Sequence, residues 1–171
     1  SIKSYVFGEE ADQARGFHLA EMLHRHEIDV YTLDKSIEVN GERFDAGKNY
    51  VVPTNQRQYK LITALFERRT SFQDSLFYDV SAWTMPYAFN VPFVELGDRQ
   101  FSSNLLGAAF TGEWEPEAEL VGGESRYAYA FEWDEYYAPR AAYRLQEAGV
   151  KIKVAAAPFS VRQFSLMCTS R

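Results

Sequence analysis

At the start of this chain, two short apolar runs flank a segment whose apolar residues have the spacing of a helix. The run Ser4–Phe7 leads through Gly8 and two glutamates into a helical pattern over Asp12–His26, and then into the run Ile28–Leu33. The larger apolar side chains of the helical pattern recur at the spacing of one buried helix face: Phe17, Leu19, Ala20 and Leu23. This order predicts a strand, a crossover helix and a second, parallel strand.

The same order of elements is found again towards the other end of the chain. The run Tyr127–Phe131 leads through an acidic turn into a helical pattern, and the run Val150–Val154 follows. Pro139 suits the first turn of the intervening helix, and Gly149 suits the position just after its end. Because repeated βαβ units build parallel sheets, the sequence predicts an α/β fold of two Rossmann-like or flavodoxin-like units.

The region between the two copies carries further signals. Asn40-Gly41 predicts a two-residue hairpin turn at a sheet margin, because both residues tolerate the positive φ of a type I′ turn. The other predicted elements are strands at Asn49–Val52, Phe93–Leu96 and Leu105–Phe110, a helix over Asn55–Arg68 capped by Thr54 or Asn55, and one or two short helices within Ser71–Phe93. The predicted domains are a first unit over 1–96, a connector over 97–124 and a second unit over 125–171.

Composition narrows the classes of function. Hydrophobic residues make up 46% of the 171 residues and charged residues 25%, which is typical of a globular protein. The net charge of −6 and the lack of a basic stripe argue against a nucleic-acid partner. No apolar run approaches the roughly 20 residues of a membrane span, so a membrane partner is not expected. The chain starts at Ser1 rather than Met, which we interpret as a piece of a longer protein.

Candidate ligand-binding residues lie at the ends of the predicted parallel strands. Glu9 and Glu10 follow the first strand, and Glu132 and Asp134 follow the corresponding strand of the second copy. Ligands of parallel sheets bind at the carboxyl ends of the strands, so Glu10 with Arg15, and Glu132 and Asp134 with Arg140, are the candidates for a polar ligand. The competing interpretation, which we favour, is a carboxylate at each helix start and a solvated arginine.

For three other sets of residues, a functional interpretation competes with a structural one. His18 and Glu21 have the His-x-x-Glu spacing of a zinc site, but the other histidines, His24 and His26, lie on the same helix, so a solvated helix face is favoured and no metal is predicted. The single Cys168 has no downstream histidine to activate it, which favours an unreactive thiol. A further set has two interpretations, an aromatic platform that binds sugar or peptide and packing between domains. Its residues are Asp74, Tyr78, Asp79 and Trp83.

Two stretches of the chain resemble a known family. The residues Tyr50-Val51-Val52-Pro53, Gln58-Tyr59, Leu65-Phe66-Glu67 and Phe72–Thr84 are similar to the region that follows the catalytic domain in large, exported bacterial zinc carboxypeptidases of the carboxypeptidase A class. The run Trp133–Ala141, with Leu145 and Gly149-Val150-Lys151, resembles the class I glutamine amidotransferase-like segment found there. Together the similarity covers most of Ser4 to Phe159.

The resemblance implies that the chain is part of a longer peptidase, called the parent below, and that this segment lacks the parent's catalytic residues. In that family a His-x-x-Glu pair and a distant His hold zinc, and none of these residues can be carried over to this chain. We therefore expect no catalytic residue, metal or cofactor here, with zinc in the parent's catalytic domain. The implied partners are that domain and, as an alternative, peptide or cell-wall substrate, and the implied location is secreted or periplasmic. A small-ligand-binding, amidotransferase-like module is the second hypothesis, and an independent enzyme is the third.

Overall fold

The computed structural model describes residues 1–68, 84–115, 120, 123–157 and 159. The chain divides into two compact units, Ser1–Trp114 and Glu115–Arg171. The predicted platform residues Asp74, Tyr78, Asp79 and Trp83, and also Cys168, lie outside the described residues.

The first unit is built on a five-stranded antiparallel sheet. Its strands are β1 (Ile2–Phe7), β2 (Tyr31–Leu33), β5 (Tyr50–Pro53), β6 (Phe93–Gly97) and β7 (Leu106–Ala109). Their order across the sheet is β6-β1-β5-β2-β7, and every neighbouring pair is antiparallel. The prediction of a parallel, Rossmann-like or flavodoxin-like sheet is therefore wrong.

The error has a specific structural cause in the position of β5. Because β5 is antiparallel to both β1 and β2, these two strands run in the same direction but do not pair. The connection from β1 through a helix to β2 is thus a split βαβ unit whose gap is filled by a strand from later in the chain. The buried run Val51-Val52 is covered on both faces, and such a run resembles a parallel strand in sequence.

Two helices cover one face of this sheet. Helix α1 spans Gln13–Arg25 and buries Phe17, Leu19, Ala20 and Leu23, which confirms the predicted apolar face. Helix α2 spans Tyr59–Phe66, shorter than predicted, and buries Ile62 and Phe66. Its N-cap is Gln58 rather than Thr54 or Asn55. The Thr54 hydroxyl instead donates to the carbonyl oxygens of Ile2 and Lys3, 3.0 Å away in each case, and so ties β5 to β1.

A β-hairpin covers the other face. Strands β3 (Ile37–Val39) and β4 (Glu42–Phe44) pair through a turn in which Asn40 and Gly41 have φ of 55° and 82°. This confirms the type I′ hairpin that the Asn-Gly pair predicts. The expected position at a sheet margin is wrong, because β3 and β4 form a separate two-stranded sheet. Val39 and Phe44 pack in a second core with Val6 and Val51 of the sheet. The predicted strands Phe93–Leu96 and Leu105–Phe110 correspond to β6 and β7, and a short helix α3 (Met85–Ala88) precedes β6.

The second unit contains one described helix and no described strand. Helix α4 spans Ala138–Glu147, with Pro139 in its first turn. After it, Gly149 has a φ of 76°, and the amides of Gly149 and Val150 donate to the carbonyls of Gln146 and Leu145, a Schellman ending. The helix and both its end signals are confirmed. The predicted strands Tyr127–Phe131 and Val150–Val154 are wrong, because an alternating run becomes a strand only where a second strand pairs with it.

No helix among the described residues is both long enough and apolar enough to cross a membrane.

Candidate functional site

The strand-end carboxylates of the first unit lie in a network with the loop between β4 and β5. The amide of Asp45 donates to Glu10 Oε1 at 3.2 Å, and Lys48 Nζ lies 3.9 Å from Glu10 Oε2. Glu9 turns back on its own loop, where its Oε1 accepts a hydrogen bond from the amide of Ala11 at 3.1 Å. Each of these two carboxylates therefore has a cation or a backbone donor beside it.

Arg15 forms an ion pair with a residue that the sequence did not single out. Its Nε lies 3.1 Å from Asp12 Oδ2, and the two side chains are only 15% and 12% exposed. Asp12 is the N-cap residue of α1, so its carboxylate also lies at the positive end of the helix dipole. Arg15 is thus paired with Asp12, and Glu10 with Lys48, so the predicted pair of Glu10 with Arg15 is not among the described ion pairs.

Asp45 connects this network to the hairpin. Arg43 Nε lies 2.8 Å from Asp45 Oδ1, and this hydrogen bond is the main reason that the pKa of Asp45 lies below its ordinary value. The neighbouring amide of Ala46 donates to Ser36 Oγ at 3.0 Å. The loop that faces Glu10 is therefore held in place by contacts on both sides, although sequence patterns gave no sign that Asp45 and Glu10 would meet.

Gly8 and Asn49 make a close contact between β1 and the same loop. Gly8 has a φ of 156°, and a Cβ added there would overlap the Asn49 side chain. Asn49 is buried, and its Nδ2 donates to the carbonyl of Asp45 at 2.9 Å. Asn49 Oδ1 is a buried acceptor that has no hydrogen-bond partner among the described residues. The acceptor lies against Gly8, so the contact leaves no space for a ligand between them.

Aromatic rings continue from this network into the core. The Tyr50 ring lies 5.6 Å from that of Phe7 and 5.7 Å from that of Phe110. Phe17 of α1 stacks on Trp114 at 5.1 Å. Burial raises the pKa of Tyr50 to about 12, so its phenol stays protonated at neutral pH.

The His-x-x-Glu pair of α1 belongs to a short chain of hydrogen bonds along the helix. His18 Nδ1 lies 3.2 Å from Glu21 Oε2, and Arg25 Nη2 lies 2.6 Å from Glu21 Oε1. The hydrogen bond to His18, followed by that to Arg25, holds the pKa of Glu21 below its ordinary value. Within the described part of the chain, no group of three or more His, Cys, Asp or Glu residues has the geometry to hold a metal ion.

Two candidate residues of the second unit, Glu132 and Asp134, lie on a largely exposed segment, residues 127–137, which we call the aromatic segment. Because the predicted strand is absent, Glu132 and Asp134 do not stand at a strand end. Arg140 belongs to α4, and its guanidinium carbon lies 5.8 Å from the centroid of the Tyr137 ring. The described residues of this unit therefore contain no strand end at which the predicted crevice could form.

Large apolar side chains are widely exposed in the second unit. Tyr127 is 99% exposed and Trp133 is 65% exposed, while Tyr143 projects from α4 with 62% of its surface exposed. The helix itself buries only Ala138 and Ala142. Sequence patterns assigned Tyr127–Phe131 to a buried strand, and the exposure of these rings was therefore missed.

Comparison with known proteins adds no relative: no protein-family model, curated protein or solved structure matches this chain.

Proposed function

We propose that this chain is a non-catalytic accessory segment of a bacterial zinc carboxypeptidase, and that its second unit packs against the catalytic domain of the parent. Peptide hydrolysis and the zinc ion belong, in this proposal, to that catalytic domain. The proposed location is secreted or periplasmic, as the resemblance implies. Each of these statements rests on the residues that resemble the family, together with one structural observation.

That observation is the exposed aromatic surface of the second unit. Tyr127, Trp133 and Tyr143 place large apolar side chains in solvent, and α4 offers little to cover them. Tyrosine and tryptophan are enriched at the centres of protein interfaces. A surface of this kind supports a role in binding another domain.

The carboxylate network of the first unit supports a structural role in the same proposal. Glu10 lies beside Lys48 and the amide of Asp45, and Arg15 pairs with Asp12. A polar ligand at this place has to displace these contacts and offset their loss. The second hypothesis, a small-ligand-binding module without catalytic residues, therefore has less support from the geometry.

The first test is the reading frame that surrounds the chain. We expect it to encode a His-x-x-Glu pair and a distant His upstream of Ser1. A complete frame without them contradicts a carboxypeptidase parent.

The second test is binding in trans, measured by isothermal titration calorimetry with a separately produced catalytic domain from the same frame. Truncation of an aromatic residue at the centre of an interface costs more than about 1 kcal/mol, so Tyr143→Ala and Trp133→Ala should each weaken binding about tenfold. Tyr59→Ala is the matched control, because Tyr59 is also a helical tyrosine, 53% exposed, but lies in the first unit. Equal affinity for all three variants excludes the second unit as the interface.

A further inference from the structure

Residues 123–131, which we call the Arg126 stretch, are exposed and lack regular secondary structure. Every one of these residues is exposed, and no helix or strand is described for them. No hydrogen bond between two backbone groups is described for this stretch either. Backbone with few internal contacts opens at little cost, and exposed segments of this kind are the preferred sites of proteolytic cleavage.

Arg126 gives this stretch a defined peptidase specificity. It is the only basic residue in the sequence between Arg99 and Arg140. A trypsin-like endopeptidase holds an arginine or lysine side chain in an acidic pocket and cleaves the peptide bond that follows it. In the Arg126 stretch this bond joins Arg126 to Tyr127.

Side-chain hydrogen bonds form a local turn across the bond between Arg126 and Tyr127. Ser125 Oγ accepts from the amides of Tyr127 and Ala128, at 3.2 Å and 3.3 Å. The amide of Ser125 donates to the hydroxyl of Tyr129 at 2.8 Å. All of these residues are exposed, so water replaces the bonds at a small net cost. A local opening therefore presents the bond to a peptidase.

Exposed basic residues of the first unit are held by contacts that the Arg126 stretch lacks. Arg68 Nη2 donates to the carbonyl of Phe93 at 2.7 Å, and its guanidinium carbon lies 4.2 Å from the centroid of the Phe93 ring. The loop that carries Lys48 is tied to β2, because the amide of Gly47 donates to the carbonyl of Leu33 at 2.8 Å. Cleavage after Arg68 or Lys48 requires these packed segments to separate first.

We propose that the bond between Arg126 and Tyr127 is a processing site for a trypsin-like endopeptidase, and that its cleavage releases the first unit as a folded domain. Water adds across the peptide bond, so Arg126 ends in a carboxylate and Tyr127 begins with a free amine. The packing of the first unit extends to Trp114, which stacks on Phe17 at 5.1 Å and precedes the bond.

Cleavage at this bond separates two parts of the chain with different surfaces. The two packed cores of the first unit lie before the bond, and the exposed rings of the aromatic segment lie after it. Processing thus removes the exposed aromatic surface from the first unit. The inference does not depend on the proposed function, because cleavage is measured on this chain alone.

The experiment treats the full 171-residue chain with a low amount of trypsin and follows the fragments by intact-mass spectrometry. We expect the fragment Ser1–Arg126 to accumulate and persist, with the thermal unfolding midpoint of the intact chain. Cuts after Lys151 or Lys153 shorten only the other product. A first cut within Ser1–Trp114, or loss of the fragment as fast as it forms, overturns the inference.

Matched variants identify the bond. Arg126→Lys keeps the charge and should still be cut, whereas Arg126→Gln should be cut there more than about a hundredfold more slowly, because the acidic pocket then lacks its partner. The control Arg99→Gln changes an exposed arginine in the turn after β6 and should leave the fragments unchanged.

A further variant tests the local turn. Ser125→Ala removes the acceptor of two amides, so the opened form becomes more populated and cleavage should be several-fold faster. Far-ultraviolet circular dichroism verifies that all variants keep their helices. Slower cleavage of Ser125→Ala, or formation of the Ser1–Arg126 fragment at the wild-type rate in Arg99→Gln but also in Arg126→Gln, overturns the inference.

Discussion

The two units of this chain bury their apolar side chains to very different extents. In the first unit, a sheet covered on both faces encloses two cores, and its rings pack against one another, as Tyr5 and Phe66 do at 4.5 Å. In the second unit, α4 buries two alanines while Trp133 and Tyr143 remain in solvent. Because apolar burial is the main driving force of folding, we expect the first unit to carry most of the folding free energy.

The largest expected effect on stability comes from a substitution in the core of the first unit, and it tests this difference in burial directly. Phe66 is fully buried between α2 and the sheet, so Phe66→Ala should lower the free energy of unfolding by about 3–5 kcal/mol. Tyr143→Ala, on the exposed helix of the second unit, should change it by less than about 0.5 kcal/mol. Urea denaturation of both variants gives the comparison. Similar values for the two substitutions are incompatible with a core confined to the first unit.

Alkaline pH should also lower the stability of the protein, and two tyrosines of the first unit should be responsible. Burial is the main cause that raises the pKa of Tyr5, and the only cause that raises that of Tyr50, in each case from 10.0 to about 12. Between pH 10 and 12 the unfolded chain loses these protons while the folded chain keeps them, so stability falls as pH rises through this window. Each phenol contributes on the order of 1 kcal/mol to this loss once solvent screening is allowed for.

The measurement is the free energy of unfolding at a series of pH values up to 12 for the wild type, Tyr5→Phe and Tyr50→Phe. Each phenylalanine variant should show a shallower alkaline decline than the wild type. Tyr127→Phe, in the second unit and almost fully exposed, is the control and should follow the wild type. A decline that neither core variant reduces assigns the effect to other groups.

The Gly8–Asn49 contact is the next test. A Cβ at position 8 overlaps the Asn49 side chain at an unfavourable φ, so Gly8→Ala should lower stability by about 1–3 kcal/mol. Gly47→Ala is the matched control, because Gly47 also has a positive φ but open space around its Cβ position. Thermal unfolding compares the two variants. The additional change Asn49→Gly should recover part of the loss in Gly8→Ala, and no recovery would argue against a steric cause.

The smallest effect concerns two buried hydroxyl groups, that of Ser4 in β1 and that of Thr54 just after β5. Ser4 Oγ is buried and has no hydrogen-bond partner among the described residues, whereas Thr54 Oγ1 donates to two carbonyls. Ser4→Ala should therefore be neutral or raise stability by up to about 1 kcal/mol, while Thr54→Val should lower it by about 1 kcal/mol. Chemical denaturation distinguishes the signs. A marked loss of stability in Ser4→Ala would reveal a partner for its hydroxyl.

Local elements of the fold followed well from local sequence. The apolar stripe of α1, the Asn40-Gly41 turn, and Pro139 with Gly149 around α4 each depend on residues close together in the chain. Backbone preferences and helical periodicity act within such short windows, so they can be interpreted without a tertiary structure.

The candidate site was much less accessible to prediction. The sequence pointed to Glu10 and Arg15 but not to Lys48, Asp45 or Asp12, which are the residues that contact them. The partners of Glu10 lie more than thirty residues away in the chain, and their approach depends on the placement of the loop between β4 and β5. Only the identities of the charged groups, not their pairing, could be inferred.

The sequence by itself determined the buried face of α1, the turn of the hairpin and the end of α4, because these features arise from neighbouring residues. Tertiary structure decided the order and direction of the strands. The run Val51-Val52 inserts between β1 and β2 and turns an expected parallel pair into an antiparallel sheet. Tertiary structure also decided that Tyr127–Phe131 is exposed rather than paired with another strand. A strand is stabilised by its partners, and the choice of partner is a non-local property of the chain.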